Sequence, residues 1–112
     1  MRTVPLLFFG FILIAAPARA QDSALIAQGQ KVYAAQKCGA CHSIAGKGNK
    51  KGALDEVGTK LTADEVRQWL LSAPEMTKKT KATRKPAMKT YAKLPTKEID
   101  ALAAYMRSLK KK

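Results

Sequence analysis

After an apolar N-terminal run from Val4 to Ala16, the apolar residues of this 112-residue chain fall at helical spacing. Between Ala24 and Lys37, residues Leu25, Ile26, Gly29, Val32, Tyr33 and Gln36 lie on one face, which predicts an amphipathic helix. A glycine inside a helix costs about 1 kcal/mol relative to alanine, so Gly29 points to a close packing contact. Ser43 to Lys60 contains Gly46, Gly48, Gly52 and Gly58 and reads as an extended loop. Thr62-Ala63-Asp64-Glu65 forms a capping box that opens a second helix. Its stripe is Val66, Trp69, Leu70 and Ala73, with Pro74 as the stop. A last helix is expected behind Pro95, capped by Thr96, with Glu98 and Asp100 where the helix dipole favours anions. Ile99, Leu102, Ala103, Met106 and Leu109 form its buried stripe. No strand pattern and no internal repeat is visible. The expected fold class is all-α.

The first apolar run spans about 13 residues, short of the roughly 20 that a relaxed membrane span needs. Met1-Arg2 precedes it and Ala18-Arg19-Ala20 follows, a small-x-small signal for export and cleavage. Residues 1–20 are therefore expected to be a Sec signal peptide cut after Ala20, with an uncleaved anchor as the alternative. Residues 21–112 would be a single exported domain, in the periplasm of a bacterium. All three Phe lie in the leader, which leaves Tyr33, Trp69, Tyr91 and Tyr105 as the large aromatics. A domain of this size buries only roughly 60–65% of its unfolded surface. Small scaffolds commonly add a disulfide, a metal or a cofactor. The length argues against a large enzyme, a transporter or a multidomain assembly.

The candidate chemistry is Cys38-Gly39-Ala40-Cys41-His42, a C-x-x-C-H pattern of c-type haem attachment. Two thiols three positions apart can each form a thioether to one porphyrin vinyl group, and the adjacent imidazole can bind the iron. Three other readings compete. A thioredoxin-like dithiol needs a strand before the motif and a helix after it, whereas a helical pattern precedes it and a Gly/Lys loop follows. A plain disulfide has no use for His42, the chain's single His. A zinc site needs four ligands, and no third Cys or second His exists.

With this motif the chain resembles a small class I monohaem cytochrome c over Gly29 to Leu109. The string Ile99-Asp100-Ala101-Leu102-Ala103-Ala104-Tyr105-Met106 is similar to the C-terminal helix of bacterial members. The resemblance implies three to four short helices around one covalently bound haem c, its iron held by His42. It also implies crossing N- and C-terminal helices, with Gly29 and Tyr33 at the crossing. Tyr33 precedes Cys38 by five residues where many members show four, so the turn into the motif is expected to differ. In the family a backbone carbonyl accepts from the proximal His Nδ1–H, often within Gly-Pro-Leu; here Gly52-Ala53-Leu54 stands there, with the carbonyl assigned to Ala53. Trp69 could lie against the porphyrin, bond a propionate, or serve only the core. For the sixth position, Met88 in Lys85-Pro86-Ala87-Met88-Lys89 has the family's spacing, six residues before Leu94. Met76, a lysine or an open site are the alternatives, and Met106 is expected in the core.

The charge sharpens the picture. The chain has 21 Lys and Arg against 8 Asp and Glu, and only Arg2 and Arg19 of these fall in the leader. Between Thr77 and Lys93 stand Lys78, Lys79, Lys81, Arg84, Lys85, Lys89 and Lys93, without an acidic residue. Such a rim would steer redox partners with acidic docking surfaces. The bland alternative is a solvated loop, and Lys110-Lys111-Lys112 reads as a frayed tail. Export and few aromatics argue against nucleic acid, while peripheral contact with anionic lipid is compatible with the charge. No carboxylate pair or nucleophile–base pair suggests catalysis. The expected function is a free, monomeric electron carrier rather than an enzyme. Alternatives are a small electron-accepting subunit of a periplasmic dehydrogenase, or a haem sensor or peroxidase-like protein with a labile distal ligand.

Overall fold

The computed structural model describes residues 10–14 and 18–112. Most of the expected leader, including much of its apolar run, lies outside the described residues. Five α-helices carry the fold among the described residues: α1 (Ala18–Ala35), α2 (Val57–Lys60), α3 (Ala63–Leu71), α4 (Ala73–Thr80) and α5 (Thr96–Ser108). No helix among the described residues is long and apolar enough to cross a membrane. The all-α class holds, although the helix count exceeds the three to four expected. Two-residue strands, β1 (Ser43–Ile44) and β2 (Lys47–Gly48), pair antiparallel within the glycine-rich loop. Strands this short are below the length at which alternation of apolar and polar residues is readable, which is why the pattern gave no warning.

The N- and C-terminal helices cross as expected, α1 packing most extensively on α5. A Cβ at Gly29 would collide with the Ala101 carbonyl and with Tyr105 Cβ, so the two helices meet backbone to backbone. Beside that contact the Tyr33 and Tyr105 rings meet edge to face, with centroids 5.8 Å apart and planes at 88°. Val32, Val66, Leu70, Ile99, Leu102, Ala103 and Met106 form the buried cluster, in agreement with the apolar stripes.

Several helix boundaries differ from the sequence expectation. The capping box at Thr62 and Glu65 is present in both directions. α3 nevertheless ends at Leu71, and Pro74 belongs to the first turn of α4. A proline lacks the N–H that a helix start does not need, so it marked a boundary from the other side. Met76 is accordingly buried within α4 and not in a loop. At α5 the cap position is Pro95, and Thr96 is the first helical residue with no side-chain cap bond. Asp100 lies past the first turn and pairs with Arg67 at 3.0 Å. The tail is tied down, since Lys111 N donates to Thr59 Oγ1 at 2.8 Å. Arg107 also bonds the carbonyls of Gly58 and Leu61, which fastens α2 to the end of α5.

Candidate functional site

The site begins where α1 stops. Lys37 adopts a left-handed conformation, φ 56°, and turns the chain into a 3-10 turn over Cys38–Ala40. Cys41 N and His42 N both donate to Cys38 O, at 3.1 and 3.0 Å. This tight turn collects Cys38, Cys41 and His42 on one small loop, with both thiols free. The β1–β2 hairpin then folds back onto the loop. Gly48, at φ 105°, lies so close that a Cβ would collide with the His42 carbonyl and press on Gly39.

His42 is half-buried, and its Nδ1 is 2.9 Å from Gly52 O. A carbonyl only accepts, so Nδ1 carries the proton and Nε2 is left with the lone pair that can bind a metal. Burial pulls the imidazole below its ordinary pKa, opposed by the Gly52 bond and reinforced by the Arg84 guanidinium. Neutral imidazole is the ligating form. The accepting carbonyl belongs to Gly52, one residue before the expected Ala53. Ala53 itself has φ −58° and ψ 130°, a backbone a proline could adopt. The bridge to Ser43, with Leu54 N donating to Ser43 O at 2.8 Å, restrains it in place of a ring.

Asn49 gave no signal in the pattern of apolar residues, yet it N-caps the 3-10 turn Lys50–Gly52 that presents the Gly52 carbonyl. An Asn followed by Lys-Lys-Gly is the local turn signal that could have found it.

Burial pushes the Cys38 thiol up, and the nearby Cys41 adds to the effect. A dithiol nucleophile requires the opposite shift. Helix before and hairpin after the motif also exclude the thioredoxin arrangement. Beside Cys38, the Tyr33 hydroxyl is buried with no hydrogen-bond partner, and burial holds its pKa up to about 12. Buried polar groups are normally satisfied, so the polypeptide alone leaves this corner incomplete. Two free thiols, a correctly tautomeric His and an unsatisfied buried hydroxyl fit a covalently attached haem.

The irregular segment after α4 closes over the same corner. Tyr91 N donates to Leu70 O at 2.7 Å, and the Tyr91 phenol is raised by burial first, then by Cys38 and Cys41. Lys89 sits 5.7 Å from the Tyr91 ring centroid and close enough to Cys38 to act on its thiol. Met88, next to it, is half-buried and packs against the core cluster. Met106 lies in the α5 core as expected. Trp69 is half-buried and is not one of the side chains packed on the core cluster.

The family model described as Cytochrome c matches residues 26–110. Neither the curated proteins nor the solved structures give a match. The matched span runs from the middle of α1 to the tail beyond α5, and so includes the motif loop, the hairpin and the helix crossing. Coverage of this extent shows that the chain belongs to the cytochrome c family, binding covalently attached haem c with its iron and serving as a haem-based electron-transfer protein.

Proposed function

We propose that this protein is a periplasmic, monomeric electron carrier whose single haem is held by Cys38 and Cys41, with His42 and Met88 as axial ligands. The observation that carries the reading is the His42 Nδ1–Gly52 O bond, which fixes the tautomer and leaves the Nε2 lone pair for a metal. When bound, the haem iron supplies one-electron exchange between its ferric and ferrous states. The chain's own work is positioning. Cys38 and Cys41 would fasten the ring, and the turn Cys38–Ala40 would hold His42 as a ligand to its iron. Met88 would supply the second ligand through its thioether and keep water and small ligands out. The cationic segment from Lys78 to Lys93 steers acidic redox partners toward the haem edge, and supports no more than loose contact with anionic lipid. Export as a signal-bearing precursor, cleaved after Ala20, brings the thiols to a compartment where c-type maturation operates.

A free carrier is favoured over a permanently bound dehydrogenase subunit. Among the described residues beyond the leader, Leu71 is the exposed large hydrophobic side chain, and a single one is ordinary on a monomer.

Absorption spectra of the haem-loaded protein, oxidised and reduced, test the ligation in wild type and Met88→Ala. A low-spin ferrous spectrum and a weak far-red sulfur-to-iron band that vanishes in Met88→Ala are expected. Survival of that band in the variant would move the ligand to Met76. Its absence from wild type, with carbon monoxide binding to the untreated ferrous protein, would replace the carrier by a sensor.

A further inference from the structure

One side chain outside the motif ties together both halves of the proximal site. Asn49 stands between the hairpin and the 3-10 turn Lys50–Gly52, half-buried. Its backbone N–H points into the haem-motif loop, 3.0 Å from Gly39 O and 2.9 Å from His42 O. Nδ2 donates to Ala40 O at 3.3 Å. On the opposite side, Oδ1 accepts from Lys51 N at 3.1 Å, and the Asn49 carbonyl accepts from Gly52 N at 3.1 Å. All four polar groups of one residue are therefore engaged. Three bonds hold the segment that carries His42, and two hold the turn that offers His42 its acceptor. Gly48 lets the hairpin come this close, because a Cβ there would collide with His42 O and press on Gly39.

We propose that Asn49 is a positioning residue for the proximal ligand. By clamping the loop Cys38–His42 to the turn Lys50–Gly52, it sets the His42 Nδ1–Gly52 O bond and through it the reduction potential. The proposal rests on His42 being the proximal ligand. A firm bond at Nδ1 raises the basicity of the imidazole and favours the ferric state, so loosening the clamp raises the potential. Asparagine suits the task because its amide both donates and accepts. Serine keeps an acceptor for Lys51 N but is too short to replace the bond to Ala40. Alanine keeps neither.

The test uses the haem-loaded protein, wild type, Asn49→Ala and Asn49→Ser, with potentials from redox titration and His42 Nδ1–H exchange from NMR. Asn49→Ala, which loses both side-chain bonds, is expected to raise the potential and to speed exchange of the ring proton about tenfold, the equivalent of about 1.4 kcal/mol. Asn49→Ser, which keeps one of the two side-chain bonds, is expected to exchange at a rate between those of wild type and Asn49→Ala. A merely structural clamp would lower thermal stability while leaving both readouts at wild-type values, which overturns the proposal. Should Asn49→Ala fail to accumulate, wild type alone decides. There, His42 Nδ1–H and Lys51 N–H are expected to exchange at matching rates with the same denaturant dependence, and independent exchange overturns the clamp. Failure of the underlying ligand assignment has a separate signature. In that case the wild-type His42 ring resonances show no haem-induced shift, whereas shifted resonances with a silent Asn49→Ala remove the clamp alone.

Discussion

At Gly29 a single missing methyl group determines how two helices meet. Alanine would gain about 1 kcal/mol in helix propensity, but its Cβ would press on the Ala101 carbonyl and Tyr105 Cβ. Overpacking that moves backbone costs up to about 3 kcal/mol, so Gly29→Ala is expected to lose about 2 kcal/mol net. Denaturant unfolding of the haem-loaded protein measures it, and a variant as stable as wild type would show that the helices separate freely. Gly29 was readable in advance because an otherwise costly residue sat in a periodic face, and Tyr33 beside it was expected from the family resemblance. His42 was readable because it follows Cys41 directly. Asn49 left only the local turn signal of an Asn before Lys-Lys-Gly, and the Gly52 carbonyl left none, since a backbone acceptor is the same in every residue.

Among the elements, α3 carries a pH-dependent device. Thr62 N donates to Glu65 Oε1 at 3.0 Å, and Glu65 N donates to Thr62 Oγ1 at 3.1 Å. The backbone bond first, and the Thr62 side chain after it, hold the Glu65 carboxyl below its ordinary value of 4.5. A carboxyl whose pKa is lower folded than unfolded contributes stability in full above the unfolded value and loses it as pH falls through the folded one. Wild type is therefore expected to exceed Glu65→Gln in thermal stability at neutral pH, with the gap closing on acidification below 4.5. A gap that persists in acid would assign the effect to something other than the carboxylate. The capping box was legible because its two partners are three residues apart. Pro74 was read from the wrong side because a proline marks a boundary without saying whether a helix ends or begins there.

For the molecule as a whole, charge is the dominant surface property. Among the described residues the ion pairs are those of Arg67 with Asp64 and Asp100, which leaves the cations between Lys78 and Lys93 to act on whatever approaches. Reversing Lys85 and Lys89 together to Glu is expected to slow association with an acidic redox partner about tenfold or more at low ionic strength. The difference should shrink as salt is raised to physiological levels and above. Stopped-flow electron transfer at several salt concentrations reads it. Equal rates for both proteins at low salt would show that this rim does not guide docking.

The sequence alone determined the chemistry and the outline of the fold. Cys38, Cys41 and His42 are contiguous, and helical stripes repeat every few residues, so short-range order carries both. The tertiary structure decided the rest. It selected Gly52 as the His42 acceptor, drew Met88's segment toward Cys38 through the Tyr91–Leu70 bond, and pinned the tail to Thr59 and α5 to α2. These contacts join residues 10 to 52 positions apart. Each has a backbone amide or carbonyl at one end at least, a group every residue except proline possesses in full, so no residue type along the chain can announce that end.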